Sequence, residues 1–160
     1  MLVTESISTS RLTLTPLAVT DATEMVGVLS DPALYTFTGG KPPTLTQLEE
    51  LYRRQSAGCP WDGEVWRNWI VRLDGTAIGY VQATVKGDSA DLAWVVGSPW
   101  QGSGYASEAS QAVRDWLADR GAARFSAHIH PDHTASRAIA TKLGLQPTDQ
   151  LDDDGEMIWK

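Results

Sequence analysis

Residues 66–73 and 77–85, two strand-like runs on either side of Asp74-Gly75, are the strongest hairpin signal in the chain. Asp-Gly suits a type I′ turn, whose two central residues both need positive φ. Gly87-Asp88 marks the next turn and residues 92–96 the next strand. The middle of the chain is therefore predicted to be a three-stranded antiparallel meander.

The flanks change period. Arg11-Leu12-Thr13-Leu14-Thr15-Pro16-Leu17 alternates like a first strand, with Pro16 at its end. Thr20 or Asp21 can cap a helix over residues 22–29 carrying Met25, Val26 and Leu29, and Asp31-Pro32 stops it. Thr46 with Glu49 has capping-box spacing, which predicts a second helix over residues 47–56 with Leu48, Leu51 and Tyr52 on one face. From Tyr105 the apolar residues Ala109, Ala112, Val113, Trp116 and Leu117 follow helical spacing as far as Gly121. A strand over 125–129, a helix over 134–143 ended by Gly144 and a last strand over 156–159 complete an α+β order without internal repeats.

The chain has 160 residues, 42% of them hydrophobic, enough for one packed domain without disulfides or metal. Cys59 is the sole cysteine and lies in a loop-like stretch, which agrees with a reducing, cytoplasmic setting. The opening Met1-Leu2-Val3-Thr4-Glu5-Ser6 has no basic region or long apolar run, so neither export nor membrane spanning is indicated. A net charge of −7 without a basic cluster argues against nucleic-acid phosphates and mildly favours a cationic small molecule, peptide or amine.

The chemistry concentrates in Trp100-Gln101-Gly102-Ser103-Gly104-Tyr105-Ala106, between a strand and a helix. Two glycines let the backbone fold tightly and expose N–H groups at a helix N-terminus, where phosphate oxygens bind. By itself such a turn serves equally well as a tight connection. A Walker loop would need a Gly-Lys-Ser or Gly-Lys-Thr ending, and a dinucleotide fingerprint a third glycine and a preceding parallel strand. Neither is present.

The loop resembles the pyrophosphate loop of the GCN5-related N-acetyltransferases, Gln or Arg, x, x, Gly, x, Gly or Ala, through Gln101, Gly104 and Ala106. The resemblance extends over nearly the whole chain and is closest to the ribosomal-protein-type branch. It runs from Thr9-Ser10-Arg11-Leu12-Thr13-Leu14 through Gly104-Tyr105-Ala106-Ser107-Glu108-Ala109 to Ser136-Arg137-Ala138 and Lys142-Leu143-Gly144-Leu145.

What the resemblance implies is a mixed, mostly antiparallel sheet flanked by helices, with the family's fourth and fifth strands, here residues 92–96 and 125–129, splayed apart. Acetyl-CoA would be the co-substrate. Its pyrophosphate would lie on Gln101, Gly102, Ser103, Gly104, Tyr105 and Ala106, and its pantetheine along Trp94, Val95 and Val96, pairing with backbone as an added strand would. A neutral amine on a small molecule or peptide would attack the thioester, with the backbone N–H near Val96 stabilising the oxyanion. Family members often pair as homodimers.

Two positions depart from the family pattern. The Tyr that many members use to protonate the thiolate is here Ala140, and the branch's Asn-x-x-Ser is His133 with Ser136. Ser136 is then the candidate acid or thiolate stabiliser, with His133 beside the pantetheine; Ser136 could equally be an ordinary first-turn polar residue. Asp91, where the branch often has Glu, is the candidate base, with a solvent-facing strand-end carboxylate as the alternative. Glu108 reads as structural, in the first turn of its helix. An acyl-CoA-binding module without turnover is the rival function.

His128, His130 and His133 have a spacing that suggests metal, but no Cys or open triad completes a site, and no metal is expected. Trp61, Trp66 and Trp69 lie near the proposed acceptor side, and Gly39-Gly40-Lys41-Pro42-Pro43 is the loop that shapes that pocket in the family.

Overall fold

The computed structural model describes residues 3–160, so Met1 and Leu2, where the segment read above for a leader begins, lie outside the described residues. The central hairpin forms where the Asp74-Gly75 turn placed it. β3 (Glu64–Leu73) and β4 (Thr76–Lys86) pair antiparallel, joined by Asp74 at φ 50° and Gly75 at φ 83°, the two positive values that a type I′ turn demands. β5 (Ser89–Val96) extends the meander, starting three residues earlier than the sequence suggested.

Around it lies an eight-stranded sheet in the order β1-β2-β3-β4-β5-β6-β8-β7. The outer strands are β1 (Ile7–Ser8), β2 (Thr13–Pro16), β6 (Arg124–Ile129), β7 (Pro147–Leu151) and β8 (Met157–Trp159). Every neighbouring pair is antiparallel except β5 with β6. Sequence reading misses β1 because two residues carry no period. It misses β7 because that strand opens on a proline and four of its five residues are exposed, leaving no alternation to read.

Helices cover both faces. Trp69, Val71, Val81, Leu92 and Ala127 pack toward α3 (Tyr105–Ala118) and α4 (Thr134–Lys142), while Ile70 and Ala77, with Tyr80 and Val95, pack toward α1 (Ala22–Val28) and α2 (Leu45–Ala57). Side chains facing opposite helices from adjacent positions are the direct result of strand alternation. One irregularity interrupts it: Val71 pairs with Gly79 and Arg72 with Ala77, so Ile78 is an extra residue. This bulge shifts the phase of β4, turning Tyr80 toward α1 and α2.

Two helix starts differ from the sequence reading. The capping box on α2 is Thr44 with Gln47, whose Oε1 accepts the Thr44 N–H at 2.9 Å while Thr44 Oγ1 accepts the Gln47 N–H at 3.2 Å. The Thr46–Glu49 pair has the same spacing, but Leu45 already begins the helix, so both residues fall inside it. Neither Thr20 nor Asp21 caps α1 through its side chain; the Asp21 carboxylate instead accepts the Ala18 N–H at 2.8 Å and pairs with Arg72 at 2.9 Å. Among the described residues no helix is long and apolar enough to cross a membrane.

The feature that positions the site is the contact between β5 and β6. Only Ser89, Ala90 and Asp91 pair with Arg124, Phe125 and Ser126, and beyond them the strands separate. The opening therefore begins at Leu92 and Ala127, two residues later on β6 than the resemblance implied.

Candidate active site

The separated strands open a cleft of about 600 Å³ between the end of β5, the start of α3 and the start of α4. Its walls include Trp94, Val95, Val96, Gln101, Gly102, Gly104, Tyr105, Ala106, His133 and Ser136, which brings together nearly every residue singled out from sequence. Ser103 is outside this wall, and its carbonyl accepts an N–H from Arg11 Nη1 at 2.9 Å.

Glycine shapes the loop at Gly102 and Gly104, with φ of 85° and 82° in the left-handed region that costs other residues strain. Gly104 is the N-cap of α3, and no side chain caps that helix. Its first-turn N–H groups are thus left for an anion at the cleft, and the helix dipole adds to their attraction. Gln101 folds back so that its Nε2 donates to the Val96 carbonyl at 2.9 Å, tying the loop to the strand end.

Behind the loop, Glu108 serves as a structural clamp. Its carboxylate accepts from Thr9 Oγ1 at 2.5 Å, the Arg11 N–H at 3.1 Å and Arg11 Nε at 2.7 Å. Burial alone would raise its pKa, but the hydrogen bonds from Thr9 and Arg11 and the guanidinium charge outweigh it and hold the carboxyl below its usual range. The guanidinium also sits 4.5 Å from the Tyr105 ring centre. The segment before β2 is thereby locked to the helix that carries the loop.

The backbone of β5 alternates between its neighbours. The Val95 carbonyl faces β4, since a Cβ on Gly79 would lie 2.2 Å from it, and Gly97 donates toward the same side, to the Ile78 carbonyl at 2.8 Å. Val96 turns the other way, its carbonyl meeting Gln101. Groups on alternate residues of a strand point to opposite sides, so the Val96 N–H points into the cleft.

At the opposite wall, His133 is the N-cap of α4, and its Nδ1 accepts the Ser136 N–H at 3.2 Å. Burial lowers the His133 pKa, with the His130 charge adding to the effect, so the ring is neutral near pH 7. With Nδ1 an acceptor, the proton resides on Nε2, which lies 3.3 Å from Ser136 Oγ. Trp94 Nε1 donates to the same oxygen at 3.3 Å. With two donors on its oxygen, the Ser136 hydroxyl has its own proton left to donate. Ala140, by contrast, is fully buried and absent from the cleft wall.

Asp91 stands apart from this group, at the base of the opening, where it lines a neighbouring cavity that also touches Trp94 and Ser136. Four residues of strand, about 13 Å, separate it from Val95. Burial pushes its pKa up, opposed by the Ser126 hydroxyl at 2.7 Å and the charge of His128, whose Nε2 is 3.4 Å away. His128 also meets Asp152 through Nδ1 at 2.8 Å. Burial would lower His128, but the bond to Asp152 and the charges of Asp91, Asp152 and Glu156 raise it.

The three histidines do not converge. His128 bridges two carboxylates, while His130 and His133 lie 5.2 and 4.6 Å, ring centre to ring centre, from Phe37. Among the described residues the carboxylates of Asp152, Asp154 and Glu156 cluster, and of the three histidines His128 reaches them, through Asp152.

On the α1 and α2 side a second cavity, of about 360 Å³, shares Leu34 and Val95 with the cleft. Tyr35, Tyr52 and Tyr80 line it, together with Thr38, Lys41 and Pro43 from the loop between α1 and α2. Of the tryptophans weighed for this side, Trp69 lines the cavity. The Trp69 ring is fully buried, edge-on to Trp116 on the α3 face, and Trp61 is exposed and packs on Trp66, which lines a smaller adjoining hollow. Sequence reading placed Tyr52 on the apolar stripe of its helix but gave no sign that three tyrosines converge, because the bulge at Ile78 decides where Tyr80 faces.

A sheet parted between two parallel strands, beside a glycine loop at a helix N-terminus, defines an acyltransferase that takes its donor as a CoA thioester. The family model for the acetyltransferase (GNAT) domain matches residues 11–146, and the chain belongs to that family. Acetyl-CoA is the co-substrate of this class, and amines are its acceptors. No curated protein matches the sequence at a significant level. Solved structures share the fold. A GNAT-family acetyltransferase from Bacillus anthracis superposes with a TM-score of 0.79 at 19% identity, covering 96% of each chain. An acetyl transferase from Salmonella typhimurium that modifies the N-terminal serine of a 50S ribosomal subunit protein gives 0.79 at 16% identity, over 97% of this chain and 96% of that one. The microcin C7 self-immunity acetyltransferase MccE, in complex with acetyl-CoA and AMP, gives 0.77 at 14% identity, over 94% and 92%.

Proposed function

We propose that the chain is a single acyltransferase domain of the ribosomal-protein-type branch that moves an acetyl group from acetyl-CoA directly to a primary amine. The observation that carries this reading is the cleft itself: unpaired β5 backbone, uncapped α3 N–H groups and an oriented Ser136 hydroxyl all face one cavity. Those groups suit, in order, a pantetheine amide chain, a pyrophosphate and a thioester sulfur.

In this mechanism Gln101 to Ala106 hold the pyrophosphate and Trp94 to Val96 the pantetheine. The amine nitrogen attacks the thioester carbon from the α1 and α2 side, and the Val96 N–H stabilises the oxygen as it gains charge. As the C–S bond breaks, the Ser136 hydroxyl donates a hydrogen bond to the departing thiolate, which takes its proton from solvent. Asp91 is too far from Val95 for direct proton transfer, so the proton that the attacking nitrogen sheds from the tetrahedral intermediate reaches it through water, its raised pKa suiting it to accept.

The test is free-thiol release from acetyl-CoA with a panel of amines, comparing the wild type with Ser136→Ala and Gly104→Val. Acceptor-dependent release that Gly104→Val abolishes and Ser136→Ala slows by roughly 10²-fold supports the reading. Tight acetyl-CoA binding with no release on any acceptor refutes it in favour of a binding module.

A further inference from the structure

The acceptor side carries a charge pattern opposite to that of the whole molecule. Although the net charge is −7, no carboxylate among the described residues lines the 360 Å³ cavity or the hollow of about 210 Å³ adjoining it. Their charged residues are Lys41 in the first and Arg54 in the second. Of the carboxylates nearby, Asp21 is bound to Arg72 at 2.9 Å, Glu50 lies 4.0 Å from Arg54, and Glu64, which accepts from Trp66 Nε1 at 2.8 Å, is paired with Lys86 at 3.1 Å. A second ammonium group reaching into either hollow would therefore meet Lys41 or Arg54 and no carboxylate in its walls; Asp91 and Glu156 line a separate cavity that shares Leu34, Thr38, Tyr80 and Val95 with the first.

The walls further specify the body of the acceptor. Leu29, Leu34, Leu48 and the three tyrosines make the inner cavity apolar and aromatic. Burial raises the Tyr52 pKa and pushes that of Tyr80 up to about 12, so both stay neutral phenols. Tyr52 is 4% exposed, and among the described residues its hydroxyl and Gln55 Oε1 are buried without a hydrogen-bond partner. A buried polar group left unpaired carries a desolvation cost that a ligand group can relieve. Gln55, Asn68 and Gln82 line both hollows, and carboxamides offer donors and acceptors in the way amide or carboxylate ligands need.

We propose that the acceptor is a monoamine on a compact apolar body whose other polar groups are neutral or anionic (amide, hydroxyl or carboxylate), and that polycationic amines are excluded. The inference rests on the acetyl-transfer reading of the cleft. It reverses the expectation drawn from net charge, because among the described residues no acidic side chain lines these two hollows. A peptide N-terminus and a free amino-acid amide share this chemistry.

The experiment measures thiol release with leucinamide, phenylalaninamide, tetrapeptides opening on an apolar residue and carrying either Asp or Lys at positions three and four, spermidine and an aminoglycoside. Acetyl-CoA binding is followed in the same samples by Trp fluorescence. Expected are release with the amides or the Asp peptides, kcat/KM about tenfold lower for the Lys peptides, and none above blank for spermidine or the aminoglycoside. Lys41→Glu with Arg54→Glu should shrink the peptide gap, and Tyr52→Phe should raise KM without lowering Tm. Release with peptides alone identifies a chain terminus as the source; release with the amides alone identifies a free amine. If acetyl-CoA binds and the polycations or Lys peptides are preferred, the acceptor class is wrong and the transfer reading stands. Binding without release on any amine overturns both, as does failure to bind acetyl-CoA.

Discussion

Gly79 offers a direct test of the oxyanion donor, because an alanine there would strike the peptide that carries it. The added Cβ would lie 2.2 Å from the Val95 carbonyl oxygen and 2.9 Å from Val96 Cα. Backbone must retreat by about 1 Å to restore ordinary contact. The Val95 carbonyl and the Val96 N–H belong to one planar peptide unit, so the N–H moves with the oxygen. A misplacement of about 1 Å at a reacting centre costs roughly 10²-fold in rate, comparable to losing one oxyanion donor. Gly79→Ala should therefore lower kcat for thiol release about 100-fold, while acetyl-CoA affinity changes only a few-fold because the loop at Gln101 to Ala106 is untouched. Overpacking of this kind costs about 1–3 kcal/mol, a fall in Tm of roughly 2–12 °C for a chain of this length. Assays well below the lowered Tm separate the two effects. A folded Gly79→Ala protein that keeps its kcat within threefold would remove Val96 from the mechanism.

Three further perturbations follow from the same geometry. Gly104→Val puts a β-branched residue at φ 82° and a Cβ 3.4 Å from Arg11, so acetyl-CoA affinity should fall roughly tenfold or more with a smaller loss of Tm, read by fluorescence titration and thermal melts. Glu108→Ala removes three hydrogen bonds that lock the N-terminal segment to α3, about 2 kcal/mol, and should lower Tm by roughly 4–8 °C. Because the Glu108 pKa is depressed on folding, that stabilisation is complete above the ordinary Glu value and fades as pH falls through the folded value, so the two melting curves should converge in acid. His128 is raised on folding above its usual 6.5, so its contribution is full below that value and is lost as pH rises through the folded pKa. His128→Gln should abolish this step in Tm against pH, and an unchanged profile would place the titration elsewhere.

Much of the cleft is local enough to read from the chain itself. The Asp74-Gly75 turn needs two positive φ values, the glycine loop precedes a helix with an apolar stripe, and Ser136 falls in the first turn of the next helix. Each depends only on neighbours in sequence, and each appears as expected. The capping box on α2 is not legible in the chain, because Thr46–Glu49 and Thr44–Gln47 have equal spacing and only the fold shows that Leu45 already begins the helix.

What tertiary structure decided is everything that depends on which elements meet. The sequence marks β5 and β6 as strands, but where they part, after Asp91 and Ser126, depends on pairing between segments far apart in the chain. The extra residue at Ile78 sends Tyr80 to the acceptor side, and no periodicity within β4 announces it. The pairing of His128 with Asp91 and Asp152, and the gathering of Lys41, Tyr52 and Tyr80 around one cavity, join residues far apart in the chain. Sequence by itself determined the local shapes and the kind of chemistry. The distances between them, and hence which amine the site admits, exist only once the sheet has brought its strands together.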